Sequence, residues 1–80
     1  MNQITVYENS SVDMLAAAIA GELNAKGRVT ISTVGGAAAL DRAINSVNLA
    51  KSCMPEYQIT LGKAVSHLGD ATLLFKAKPV

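Results

Sequence analysis

The chain has 80 residues, enough for one small domain over residues 1–80 but not for a large core, so self-association is a natural supplement to its stability. Half of its residues are hydrophobic and only 16% are charged, far from the composition of a disordered chain. Seven Lys/Arg against six Asp/Glu leave a net charge of +1, which excludes a globally basic nucleic-acid binder and leaves room only for cations gathered on one face.

The single Cys53 removes any intramolecular disulfide framework and fits a reducing compartment. No apolar run approaches the ~18 residues of a membrane span. The N-terminus lacks a basic segment followed by an apolar one, so the expectation is a soluble, cytoplasmic protein with no membrane partner.

Gln3 to Tyr7 alternates Ile4 and Val6 with Thr5 and Tyr7, the period of a half-buried strand. Glu8-Asn9-Ser10-Ser11 is a polar turn in which Ser10 or Ser11 can cap the helix that follows. Asp13 complements the positive end of that helix. From Val12 to Lys26, the residues Val12, Leu15, Ile19 and Leu23 form one large apolar stripe. Ala18, Gly21 and Ala25 form a small-residue stripe beside it, with Met14 at its start. A glycine inside a helix costs about 1 kcal/mol relative to alanine, so Gly21 points to a close neighbour, the second helix rather than a ligand. Gly27 ends the helix.

Arg28 to Val34 reads as the second strand, with Val29 and Ile31 on one face and Thr30 and Ser32 on the other. Gly35-Gly36 turns the chain into a second helix, Ala37 to Cys53. Its large face carries Leu40, Ile44, Val47 and the stem of Lys51; its small face carries Ala39, Ala43, Ser46, Ala50 and Cys53. The small faces of the two helices are expected to meet, with Cys53 packed and unreactive. Pro55 stops the helix. Tyr57, Ile59 and Leu61 alternate with polar residues in a third strand, which continues past Gly62 if that residue is a bulge. Leu68-Gly69-Asp70 holds a turn, and Ala71 to Lys78 alternates as the last strand of a hairpin.

The order β-α-β-α-β-β predicts a two-layer α/β sandwich, a four-stranded mixed sheet with both helices on one face. Its other face would carry Thr5, Tyr7, Thr30, Ser32, Gln58, Thr60, Leu74 and Lys76, polar enough to stay open to solvent.

Little here suggests catalysis. The one histidine, His67, sits beside the hairpin turn with no second metal ligand spaced to help it, and no pair of acids has a spacing suited to shared acid/base work. Neither an enzyme activity nor a cofactor or metal is expected. The glycine pair lacks the Lys-Ser/Thr of a phosphate-binding loop and the third glycine of a dinucleotide fingerprint. Gly35, Gly36 and Ala37 nonetheless place bare amides at a helix N-terminus, with Arg42 within two turns. The pair therefore either serves only the sharp turn or also receives a phosphate. Lys63, Lys76 and Lys78 share the hairpin and form at most one modest patch.

Ser10 through Leu23 (SSVDMLAAAIAGEL), the Gly27 stop, and Gly35-Gly36-Ala37 running into AALDRAINSVNLAK together resemble the stage V sporulation protein S family, which belongs with the Alba-like proteins. The resemblance covers about the first 52 residues. It implies an Alba-like fold, homodimers or larger homo-oligomers, and DNA or RNA binding in gene regulation. By that resemblance the nucleic-acid contacts fall on Asn9, Ser10 and Ser11 in the first loop, on Gly35, Gly36 and Arg42, and on Lys63 and Lys76 of the hairpin. The first loop differs from Alba-type loops in carrying Glu8-Asn9-Ser10-Ser11 where those carry lysine. The alternative is a non-catalytic protein-interaction module on the same fold that has lost nucleic-acid binding, such as a bacterial or phage-encoded modulator of a host protein.

Overall fold

The computed structural model describes residues 3–80. Six elements follow in the expected order: β1 (Gln3–Tyr7), α1 (Val12–Lys26), β2 (Arg28–Val34), α2 (Ala37–Ser52), β3 (Tyr57–His67) and β4 (Asp70–Pro79). The sheet order is β1-β2-β4-β3, with β1 and β2 parallel and the other pairs antiparallel. The hairpin thus folds its second strand inward beside β2, leaving β1 and β3 as the edges. Val6, Val29, Ile31, Ile59, Leu73 and Phe75 share one core cluster with Ile19 and Leu23 of α1 and Ala43, Val47 and Ala50 of α2. Both helices therefore lie on one face of a mixed sheet, the Alba-like α/β sandwich that the element order implied.

Local chemistry accounts for the boundaries. Ser11 is the N-cap of α1, its Oγ accepting from the Met14 amide at 3.3 Å, while Ser10 Oγ accepts from the Tyr7 amide at 2.9 Å. Gly27 closes α1 in the left-handed region, donating to the Leu23 carbonyl at 2.8 Å, and its own carbonyl accepts from Ala77 N at 2.9 Å. That second bond ties the helix end to β4.

The register of the hairpin changes between Leu61, opposite Phe75, and Lys63, opposite Leu74, so Gly62 is a bulge. The extra residue reverses the alternation that follows. Lys63, Val65 and His67 therefore share the open face with Gln58 and Thr60, and Ala64 and Ser66 share the helix-side face with Ile59 and Leu61.

Two expectations about the helices need correction: that their small faces meet and that Cys53 is packed. The core face of α2 is its small face: Ala39, Ala43, Ser46 and Ala50 are buried together with Val47, whereas Leu40 and Ile44 are 37% and 41% exposed. Small side chains let the helix axis come close to its neighbours, which leaves the larger residues on its flank. Ala18, Gly21 and Ala25 of α1 are exposed and do not meet α2; a Cβ on Gly21 would find nothing within 4 Å. The buried residues of α1 are Ala16, Ile19 and Leu23, with Val12 and Leu15 only half-buried. Finally, α2 ends at Ser52, and Cys53 is its exposed C-cap rather than a packed side chain.

Candidate nucleic-acid interface

The structure gathers the residues expected to bind nucleic acid at two places. At one end of the sheet, the β1–α1 loop, the β2–α2 turn and the hairpin turn come together. Arg42, half-buried on α2, donates from Nε to the Glu8 carbonyl at 2.8 Å and from a terminal nitrogen to the Ser10 carbonyl at 3.1 Å. The guanidinium thus clasps the first loop. Ser10 and Ser11 accept through Oγ from Tyr7 N and Met14 N, and Asn9 is exposed beside them.

Gly36 adopts φ 71 and ψ −144, a conformation that essentially only glycine tolerates, and Gly35 has φ 121. Their two amides point at one carboxylate: Asp70 Oδ1 accepts from Gly35 N at 3.2 Å and from Gly36 N at 3.4 Å. No side chain of α2 itself caps the helix, so the acid from the hairpin supplies the negative charge at its positive end. The anion cradle expected at this turn is thus filled from within the chain. Asp70 also stands opposite His67 in the hairpin register, and both line a shallow depression of about 250 Å³ with Ser32, Val65 and Thr72. An acid does therefore approach the one histidine, with an oxygen already engaged by the two amides.

The second place is the open face of the sheet. Arg28 lies directly opposite Lys76, Lys76 opposite Thr60, and Lys78 opposite Gln58. The next row of side chains is Thr30, Leu74 and Lys63. Neighbouring strands are about 4.8 Å apart and alternate residues about 6.8 Å apart, so Arg28, Lys63, Lys76 and Lys78 form one compact cluster. All four are exposed, and none makes an ion pair among the described residues. A Cβ on Gly62 would lie 3.5 Å from Lys76 Cε and 3.6 Å from its Cδ, so the lysine stem runs across the bulge toward the β3 edge that carries Lys63. On β4 itself the acid is Asp70, six residues away from Lys76.

Lys63 and Lys76 are thus brought together, and they lie apart from the end that holds Asn9, Ser10, Ser11, Gly35, Gly36 and Arg42. Arg28 was missed as a member of the cluster, because only the antiparallel register of β2 with β4 reveals its partner. No group of three or more His, Cys, Asp or Glu suited to a metal occurs among the described residues, and no helix there is long and apolar enough to cross a membrane.

The family model for stage V sporulation protein S matches residues 2–64, from the start of β1 into the second half of β3. β4, with Leu74, Lys76 and Lys78, lies beyond the matched residues. No curated protein matches the chain. The agreement extends through both helices, the capped first loop and the glycine turn, well over half of the sequence: the chain belongs to the stage V sporulation protein S family.

Proposed function

We propose that this protein is a non-catalytic nucleic-acid-binding regulator that acts in the cytoplasm as a homo-oligomer and needs no cofactor. The observation that carries this reading is the open sheet face: four of the seven cations in a chain of net charge +1 stand within two side-chain rows of one another, with no ion pair to an acid among the described residues. Concentrating like charges on adjacent strands is unfavourable by itself, and a polyanion relieves the repulsion. Lys63 and Lys76 keep the role expected of them and gain Arg28 and Lys78. A phosphate at Gly35 and Gly36 would first have to displace Asp70. Asn9, Ser10 and Ser11 shape that end of the molecule and offer neutral contacts, and the positively charged Arg42 guanidinium there is held by the Glu8 and Ser10 carbonyls.

The test is binding of labelled DNA and RNA by the full chain at low and moderate salt. Association that weakens steeply with salt supports the reading, and absence of binding to every probe at about 50 mM salt refutes it.

Oligomerisation rests on the helix layer, where Met14 is 75% exposed and Leu40, Ile44 and Leu49 are each more than a third exposed. A domain of this size gains stability by covering such side chains. Light scattering should report a dimer or larger species at micromolar concentration; a monomer contradicts it. The same exposed residues favour the second reading, a protein-interaction module, if nucleic acid fails to bind.

A further inference from the structure

Resting on the nucleic-acid reading and narrowing it, we propose that the open sheet face takes a single-stranded polynucleotide. Its phosphates lie along Lys63, Lys76, Arg28 and Lys78, and one unstacked base lies in a groove floored by Leu74 and Val65.

The groove has a volume of about 220 Å³ and is lined by Thr30, Lys63, Val65, Thr72 and Leu74. Its floor is apolar in a part of the face otherwise built from threonine, glutamine and cations, with Tyr7, Val34, His67 and Asp70 toward the other end. Leu74 sits half-buried on the central strand β4, and Val65 is 52% exposed on the edge strand β3. Neither side chain belongs to the core cluster, which lies on the other side of the sheet. Thr30 and Thr72 flank the floor with hydroxyls that can both donate and accept, and so suit the polar edge of a base without selecting one. Lys63 stands at the rim, and the stem of Lys76 crosses Gly62 toward it.

The bulge is what assembles this site. Without the extra residue at Gly62, Lys63 and Val65 would fall on the helix side of β3, and the face would lose both a cation and half of the apolar floor.

The choice of a single strand follows from shape and chemistry together. In a duplex the base faces are covered by stacking and only the base edges are presented, so an apolar depression finds no base face to cover there. A shallow apolar depression gives nothing to a phosphate but can cover the face of an exposed base, and bases are free to leave the stack only in a single strand. Cations beside such a platform match the way sequence-neutral single-strand binders follow a backbone.

The test uses the full chain and labelled oligonucleotides of about 15 nucleotides, the scale of a single-strand site on a small domain. The probes are a single-stranded pyrimidine DNA, its RNA counterpart, the matching duplexes, and the same single strands with their central bases removed. The expected result, for DNA and RNA alike, is single-strand binding about tenfold or more tighter than duplex binding. Removing the central bases should weaken it by about fivefold, the low end of the range for stacking on aromatic side chains, because Leu74 and Val65 are aliphatic. Val65→Ala should weaken binding of the intact strand and leave the abasic strand unchanged. Equal affinity for duplex and single strand, or for intact and abasic strands, overturns the inference while leaving nucleic-acid binding in place. Failure of every probe to bind overturns both. The abasic comparison needs no altered protein, so it stands even if a variant folds poorly.

Discussion

Replacing Lys76 by glutamine removes one charge from the middle of the sheet-face cluster and puts a neutral amide where Cδ and Cε cross Gly62. Each phosphate neutralised on a single strand contributes about 0.7 to the slope of log affinity against log salt. Four cations, each meeting one phosphate, therefore give the parent protein a slope of about −2.8, a loss of about 50-fold between 50 and 200 mM salt. Lys76→Gln should reduce the slope to about −2.1 and the loss to about 20-fold. Fluorescence anisotropy over a salt series reads both values. Lys51→Gln is the matched control, because Lys51 is exposed in the last turn of α2, on the opposite side of the sheet from the cluster. It should leave the slope at its parent value. Identical slopes for the parent and Lys76→Gln, or an equal loss from Lys51→Gln, would refute the assignment of the binding charge to the sheet face.

Three substitutions test the structural roles assigned elsewhere. Arg42→Ala removes both bonds to the Glu8 and Ser10 carbonyls and should cost about 1–3 kcal/mol, read as a lower Tm in thermal unfolding with no change in the salt slope. Asp70→Ala leaves the Gly35 and Gly36 amides without their carboxylate and should destabilise by about 1–2 kcal/mol. Asp70→Asn, which keeps an oxygen at the same place, should cost less; equal costs would show that the carboxylate oxygen is not what holds the turn. Gly21→Ala should stabilise the protein by about 1 kcal/mol, since the site is helical and open. A fall in Tm would mean that another surface packs against it.

Much of the fold is legible in the residues themselves. The alternation of β1, β2 and β4, the serine and glycine caps of α1, the glycine turn and the bulge at Gly62 are all local signals, and each holds in the structure. On α2 the larger residues do not mark the core side. Its core side is built from Ala39, Ala43, Ser46 and Ala50, where close approach rather than side-chain bulk does the packing. The α1 stripe of Ala18, Gly21 and Ala25 misleads for the same reason, since small residues are equally compatible with a tight contact and with bare surface.

The candidate site is less legible because it depends on register. Asp70 reaches the amides of Gly35 and Gly36 from more than thirty positions away, through the hairpin that brings β4 beside β2. Arg28 and Lys76 look scattered in sequence and become direct neighbours only once those strands pair. Lys63 joins them because one extra residue at Gly62 turns its side chain to the open face. The glycine turn is therefore an internally capped corner, and the proposed binding chemistry is the cation cluster on the sheet.

The central claim, that nucleic acid lies on the open sheet face, is tested most directly by titrating a short single-stranded oligonucleotide into isotopically labelled protein and following its NMR resonances. The account predicts that Thr30, Lys63, Val65, Thr72, Leu74 and Lys76 shift together and saturate at one affinity, while Met14, Ala18 and Leu49 in the helix layer stay in place. Shifts confined to the helix layer or to the loop around Ser10, Ser11 and Arg42, with the sheet face unmoved, would contradict it.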